Sequence, residues 1–120
     1  MTDSPKDLAL KISKVIDDKK GKDIKILDMT GFPTLAEYFV IATGSSSRHT
    51  TAIADEIIKK ITSKNVSIRH KEGYNKGKWI LLDYLNVVVH LFTEEEREFY
   101  DLERIWKGAK YVELDIDTLQ

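Results

Sequence analysis

The stretch Gly44-Ser45-Ser46-Ser47 combines residue types that can hold an anion. It follows an apolar segment, residues 38–43, and precedes a segment with helical apolar spacing that begins near residue 48. Backbone N–H groups at the start of a helix carry partial positive charge, and small side chains let a phosphate approach them closely. The stretch therefore predicts either a phosphate-binding turn or an ordinary helix-capping turn.

Metal-assisted phosphoryl transfer would need carboxylates beside this turn. Nucleotidyltransferases place two carboxylates one residue apart on the next strand, because two metal ions about 3.5–4 Å apart must bridge the attacking and leaving oxygens. Residues 66–70 contain no carboxylate, and residues 79–92 contain only Asp83. Asp55 and Glu56 are adjacent, but neighbouring residues on a helix point apart. We therefore predict no catalytic residue and no metal ligand.

The histidines and the remaining motifs give little support to catalysis. His49, His70 and His90 fall in different predicted elements and lack the local spacings of metal sites. His90 ends a run of valines, which favours a hydrogen-bonded core histidine over a metal ligand. The chain has no cysteine, no Gly-rich dinucleotide or P-loop fingerprint, and no G-x-S-x-G motif. No cofactor is expected.

Composition indicates one globular domain over residues 1–120, because a chain of this length can bury its own core. No apolar run approaches the roughly 18 residues of a membrane helix. The first residues resemble neither a secretion signal nor a transit peptide, so a cytoplasmic location is expected. The formal net charge of −1 disfavours a direct electrostatic nucleic-acid binder, and a protein surface is the more favoured partner.

The elements that must position these residues are organised around one predicted hairpin. Two apolar runs, residues 79–82 and 87–92, flank a polar break and are typical of strands. Asn86 is expected to take the φ > 0 conformation of the turn. The valine run that follows has no alternation, which indicates burial on both faces. Further strands are predicted over residues 24–29, 38–43 and 66–70.

Three helices are predicted from apolar residues at helical spacing. The first begins at a Ser4 cap and ends at Gly21. The second covers about residues 48–64, and the third begins at Thr93, with Glu96 as its capping-box partner. Residues 109–120 are predicted to be a short tail. The fold class is therefore α/β (α+β), in the order αββαβββα, with a mixed sheet of about five strands flanked by helices.

Aromatic side chains near strand ends and helix starts suggest a docking surface. Trp79, Tyr84 and Tyr100 are of this kind, and aromatic residues are the usual anchors of protein–protein hot spots. Trp79 next to Lys78 and Asp83 would form an aromatic patch with a charged rim. The alternative, that Trp79 caps the hydrophobic core, is equally compatible with the sequence.

Several strings in order carry a family resemblance over roughly residues 8–106. They include YFVIATG at residues 38–44, WILLDY at 79–84, VVVHLF at 87–92 and EFYDLERIW at 98–106. Together they closely resemble the Iojap family, that of the bacterial ribosomal silencing factor RsfS. The chain departs from the family in one place, because Leu85-Asn86 stands where the family usually has Gly-Asp. The departure changes the hairpin turn and removes a carboxylate from the expected contact surface.

The resemblance implies a nucleotidyltransferase-like fold without the metal carboxylates, and a non-enzymatic function. Family members bind the large ribosomal subunit through its protein fourteen, sterically block association with the small subunit, and repress translation under nutrient limitation. They also tend to form homodimers when free. Two alternatives stay open: a residual nucleotidyltransferase-like enzyme that uses Gly44-Ser45 and Asp83, and a dimeric interaction module with another target.

The resemblance also points to the residues that would contact the partner. They are the four hairpin residues Trp79, Asp83, Tyr84 and Asn86, with Lys78 and Tyr100 behind them. Because ribosomal proteins are usually basic, Asp83 is the expected charge partner.

Overall fold

The computed structural model describes residues 4–62 and 66–114. Within these residues the chain forms four helices and six strands. In order they are α1 (Pro5–Asp18), β1 (Lys22–Asp28), β2 (Tyr38–Gly44), α2 (Ser47–Ile61), β3 (His70–Glu72), β4 (Trp79–Asp83), β5 (Val87–Thr93), α3 (Glu94–Tyr100), α4 (Leu102–Ile105) and β6 (Lys110–Tyr111). None of these helices is long and apolar enough to cross a membrane.

The strands form one mixed sheet in the order β3-β4-β5-β2-β1-β6. The central strands β2 and β5 run parallel, from the pair Tyr38 and Val87 to the pair Gly44 and Thr93. The other neighbouring strands are antiparallel. The predicted mixed sheet flanked by helices is confirmed, with six strands in place of about five.

The two faces of the sheet are covered unequally. On one, which we call the helix face, α1 and α2 pack Ile12, Ile16, Ile53 and Ile57 into the main core. On the other, which we call the open face, a smaller aromatic core is covered by α3 and α4. Along β4, burial alternates: residues 80 and 82 are buried, whereas residues 79, 81 and 83 remain partly exposed. The open face therefore stays accessible over β4.

The third predicted helix is interrupted, which corrects the sequence-based expectation. Asp101 takes a left-handed conformation with φ of 45° and separates α3 from α4. Arg97 of α3 donates to both carboxylate oxygens of Glu103 in α4, at 3.2 and 3.0 Å. This ion pair folds α4 back over the aromatic core. Thr93, which is also the last residue of β5, precedes α3 as predicted, but its side chain makes no capping hydrogen bond.

One strand prediction was also wrong in position, and the predicted tail contains a strand. The third strand lies at His70–Glu72, not over residues 66–70. Val66 and Ile68 instead pack against the main core from outside the sheet. The predicted C-terminal tail contains β6, which pairs with the edge of β1 and satisfies backbone groups there. Residues 115–120 of that tail, and the predicted end of the second helix at residue 64, lie outside the described residues.

The two turns that end α1 and join β4 to β5 place positive φ at unexpected residues. Lys20, not Gly21, takes the left-handed conformation after α1, with φ of 67°. In the hairpin it is Leu85, not Asn86, with φ of 75°. Asp83 sets this turn, because its Oδ1 accepts a hydrogen bond from the Leu85 N–H at 2.7 Å. The Asn86 carbonyl then accepts from Glu37 N–H at 2.7 Å, so its backbone is fixed in another role.

Gly73 holds the loop before β4 against the first residue of that strand. Its φ is +75°, and a Cβ there would lie 1.9 Å from the carbonyl oxygen of Trp79. Gly31 also has positive φ, at +90°, but a Cβ there would meet no atom within 4 Å. A substitution at Gly31 would therefore cause backbone strain alone, whereas one at Gly73 would cause both strain and a steric clash.

We expect Gly73→Ala to lower the free energy of unfolding by about 3 kcal/mol, because left-handed strain adds to overpacking. Gly31→Ala should cost only about 1 kcal/mol, from strain alone. Urea unfolding of both variants measures the difference. Equal losses would show that Gly73 is required for its backbone conformation and not for its close contact with Trp79.

Candidate functional site

The predicted contact residues gather on the open face and at the ends of β4, with one exception. Trp79 begins β4 and Asp83 ends it. Because strand side chains alternate, both lie on the open face with Leu81 between them, about 13 Å apart along the strand. Lys78 and Asn86 are exposed just outside the two ends of the hairpin. We call Lys78, Trp79, Leu81, Asp83, Asn86 and Tyr100 together the β4 surface.

Trp79 is the best-anchored aromatic side chain of the β4 surface. Its ring stacks on Phe92 at 5.0 Å between centroids and lies 4.5 Å from the Tyr100 ring of α3. The indole Nε1–H donates to His90 Nδ1 at 3.2 Å. Trp79 is nevertheless only partly buried. It therefore caps the aromatic core, while part of its side chain stays accessible to solvent.

His90 is a hydrogen-bonded core histidine, as predicted. It is 5% exposed, and burial lowers its pKa from 6.5 to about 4. Its ring lies 4.8 Å from that of Phe39 on the neighbouring strand. Its Nε2 has no hydrogen-bond partner among the described residues. Across residues 4–62 and 66–114, no group of three histidine, aspartate or glutamate side chains could hold a metal ion.

A shallow depression extends the β4 surface at the turn end. It has a volume of about 400 Å³ and is lined by Thr34, Leu35, Ala36, Arg69, His70, Asp83, Leu85 and Val88. Leu35 is 84% exposed and Leu85 is also exposed, so apolar groups lie within a polar rim. Sequence reasoning missed Leu35, Leu81 and Val88. The alternation along β4 was a usable signal for Leu81, whereas nothing local marked Leu35.

Tyr84 lies apart from the other predicted contact residues. Its side chain is 6% exposed and belongs to the main core on the helix face. Burial raises its pKa to about 12, and its hydroxyl has no partner among the described residues. The alternation of side chains along the hairpin therefore separates Tyr84 from Trp79 and Asp83.

The turn at Gly44 is a helix cap whose amides bind the chain itself. Ser45 N–H donates to His49 Nδ1 at 2.9 Å, and His49 N–H donates to Ser46 Oγ at 3.1 Å. His49 Nε2 lies 2.7 Å from the Lys19 carbonyl oxygen, so it is the protonated nitrogen. A Cβ on Gly44 would lie 2.6 Å from Thr50 Cγ2, so packing alone accounts for this glycine. The capping interpretation of this stretch is confirmed.

Comparison with known proteins gives one consistent family. Residues 2–120 match the family described as "Ribosomal silencing factor during starvation". The ribosomal silencing factor RsfS of Bacillus subtilis is 39% identical over 87% of this chain and 88% of its own length. The chloroplastic protein Iojap of Zea mays is 31% identical over 92% of this chain and 48% of its own length.

Solved structures agree with the sequence relatives. A crystal structure of a protein from Chromobacterium violaceum superposes with a TM-score of 0.84 at 33% identity, over 90% of both chains. A crystal structure from Bacillus halodurans superposes with a TM-score of 0.75 at 37% identity, over 90% of this chain and 95% of that one. The fold and the sequence therefore lead to the same group of proteins.

We expect Tyr84→Phe to raise the free energy of unfolding by about 1 kcal/mol, because it removes a buried hydroxyl that lacks a partner. Tyr111→Phe, at an exposed tyrosine, is the matched control and should change stability by less. Urea unfolding compares the two. A loss of stability in Tyr84→Phe would show that the hydroxyl has a favourable interaction in the folded chain.

We also expect stability to depend on pH through His90. Between pH 6.5 and about 4 the unfolded chain binds a proton at this residue and the folded chain does not. The stability contributed by neutral His90 is therefore complete above pH 6.5 and falls as the pH drops towards 4. From pH 7 to pH 5, wild type should lose about 2 kcal/mol more than His90→Asn in urea unfolding. Parallel losses would place the His90 pKa near 6.5 in the folded chain.

Proposed function

This chain belongs to the family of ribosomal silencing factors, and we propose that it represses translation by occupying the large ribosomal subunit. In this proposal it binds the large-subunit ribosomal protein fourteen on the side where the small subunit docks. Its bulk then prevents the two subunits from joining when nutrients are limiting. The mechanism is steric, so it requires no catalytic residue, metal or cofactor. The site of action is the cytoplasm.

The observation that carries this proposal is the β4 surface. It presents Trp79, an anchored and partly exposed aromatic residue, on the open face of β4, where residues 79, 81 and 83 stay partly exposed. Hot spots of protein interfaces are enriched in such aromatic anchors, set in an apolar patch with a polar rim. Leu81 next to the anchor, and the exposed Leu35 and Leu85 at the turn end, supply the apolar area of the surface.

Charge favours a protein partner over ribosomal RNA. The formal net charge of −1 gives the chain no general attraction to phosphate. Asp83 lies at the rim of the depression, where it can pair with a cationic side chain of a basic ribosomal protein. Lys78 and Asn86 complete the polar rim at the two ends of the hairpin. Tyr84, which lies in the main core, supports this surface from behind.

We extend the proposal to the free protein. An exposed apolar patch of this kind tends to be covered in solution, and a second copy of the chain can cover it through the same residues. A homodimer formed through the β4 surface would compete with the ribosome. Sedimentation velocity with and without added large subunits measures this competition.

The direct test is subunit joining. Purified small and large subunits are mixed with and without the protein and resolved on a sucrose gradient. We expect the protein to keep the subunits apart and to co-migrate with the large one. Unchanged joining with the protein at the top of the gradient would refute the proposal. A nucleotide and Mg²⁺ titration would then test the residual enzyme.

Two substitutions probe the β4 surface without relying on one another. Trp79→Ala should weaken binding to large subunits by about 2 kcal/mol or more, which is roughly 30-fold, because it removes the anchor. Asp83→Asn should weaken binding and reduce its salt dependence, because it removes the charge but keeps an oxygen for the Leu85 N–H. Binding is measured by co-sedimentation.

Matched controls lie at the opposite sheet edge. Tyr111→Ala removes an exposed aromatic residue of β6, and Glu113→Gln removes a negative charge close by. Both controls should bind as wild type. Urea unfolding of Trp79→Ala decides whether a loss of binding reflects a lost contact or a lost fold. Equal weakening in the controls and the β4 variants would show that this surface is not the interface.

A further inference from the structure

We propose that His90 is a positioning residue that fixes the orientation in which the Trp79 indole meets the large ribosomal subunit. The inference rests on the proposed function and deepens it, because it assigns a role to a residue beneath the binding surface. His90 is buried and would not itself touch the partner. Its effect would pass entirely through the hydrogen bond to Trp79.

The chemistry of the two rings fixes the direction of this hydrogen bond. An indole Nε1–H can only donate, so His90 Nδ1 must be the acceptor across the 3.2 Å contact. The histidine is therefore neutral, with its proton on Nε2. The sheet register supports the geometry, because Leu81 pairs with His90 and Trp79 pairs with Phe92. His90 and Trp79 are thus diagonal neighbours on the open face, within reach of long side chains.

The other contacts of Trp79 cannot perform this task. The rings of Phe92 and Tyr100 restrain the plane of the indole, at interplanar angles of 30° and 48°. Ring contacts of this kind restrain the plane of the indole more than the direction of its Nε1–H bond. The directional acceptor favours the flip in which Nε1 points towards His90 and the centre of the sheet. The hydrogen bond therefore leaves a defined edge of the indole at the surface.

A histidine at position 90 is energetically less favourable than an apolar residue that would only pack. Its Nε2 is buried without a partner among the described residues, and an unsatisfied donor of this kind opposes folding. An apolar side chain of similar size would fill the same space against Phe39 without that penalty. The feature that histidine adds over such a side chain is the Nδ1 acceptor that Trp79 uses.

Loss of the acceptor should weaken binding by loss of preorganisation. With His90→Leu the indole would populate both flips, and the partner would have to select one of them. We expect the competent flip to fall to about 10–20% of the molecules, so that the Kd for large ribosomal subunits rises about fivefold to tenfold, because the apparent affinity scales with the competent fraction. His90→Asn keeps an amide oxygen near the position of Nδ1 and should restore most of the affinity. His90→Gln places its amide one atom further out and should not.

The experiment combines a spectroscopic readout with binding. In the ¹H–¹⁵N spectrum of the free protein, the Trp79 indole N–H should resonate downfield and exchange slowly with solvent. Trp106→Phe assigns the two indole signals. The signature should be present in wild type and in His90→Asn, and lost in His90→Leu and His90→Gln. Affinity is measured on the same proteins by co-sedimentation with purified large subunits.

Each outcome decides the inference. The inference is supported if affinity is high in wild type and His90→Asn, which keep the indole signature, and low in His90→Leu and His90→Gln, which lose it. Equal weakening of His90→Leu and His90→Asn would assign His90 to packing, and unchanged affinity in His90→Leu would show that the orientation does not matter; both overturn the inference. If wild type does not sediment with large subunits, the proposed function fails. The positioning of Trp79 in the free protein is still decided by the indole signature.

Discussion

The parallel pairing of β2 with β5 is the constraint on which the rest of the structure depends. Seven successive residue pairs join these strands, from Tyr38 and Val87 to Gly44 and Thr93. Parallel neighbours cannot be joined by a tight turn, so the chain must cross over between them. The crossover contains α2, β3 and β4, and it brings α2 beside α1 on one face. Among the described residues, the opposite face receives the two short helices that follow β5 and part of the β1–β2 connection, and the side chains of β4 on that face stay partly exposed.

The unequal cover explains why the open face combines core packing with surface character. α3 and α4, which are separated by the helix break at Asp101, pack on this face. Hydrogen bonds of the Arg97 side chain hold them there. Arg97 donates to Glu103 in α4 and, through Nη1, to Thr43 Oγ1 of β2 at 2.8 Å. Hydrogen bonding to Arg97 helps lower the pKa of Glu103 against the opposing effect of burial. The aromatic core beneath is completed by Trp79 of β4, whose ring lies against that of Tyr100 in α3.

Local patterns predicted most of the fold and only part of the site. Apolar periodicity identified α1 and α2, because their buried residues recur at helical spacing. The break at Asp101 and the pairing of β6 depend on partners distant in sequence, which no local pattern contains. The prediction of positive φ at Asn86 was wrong for a related reason. Asn86 has the higher intrinsic preference for that conformation, but hydrogen bonds with the Asp83 side chain and the Glu37 backbone hold Leu85 in it instead. Alternation along the hairpin, continued to its turn, places Tyr84 on the helix face, apart from Trp79 and Asp83.

The carboxyl ends of the parallel strands β2 and β5, where similar folds bind ligands, also bear on the location of the β4 surface. In open α/β sheets, ligands bind beyond the carboxyl ends of parallel strands. Here those ends are Gly44 and Thr93. After Gly44, the amide of Ser45 is bound to His49, and after Thr93 the chain enters α3 directly. At the edge where related architectures hold small molecules, this chain therefore binds one of its own amides with a side chain. In the proposed function the recognition surface is instead the open-face side of β4, whose anchored indole suits a protein partner better than a phosphate.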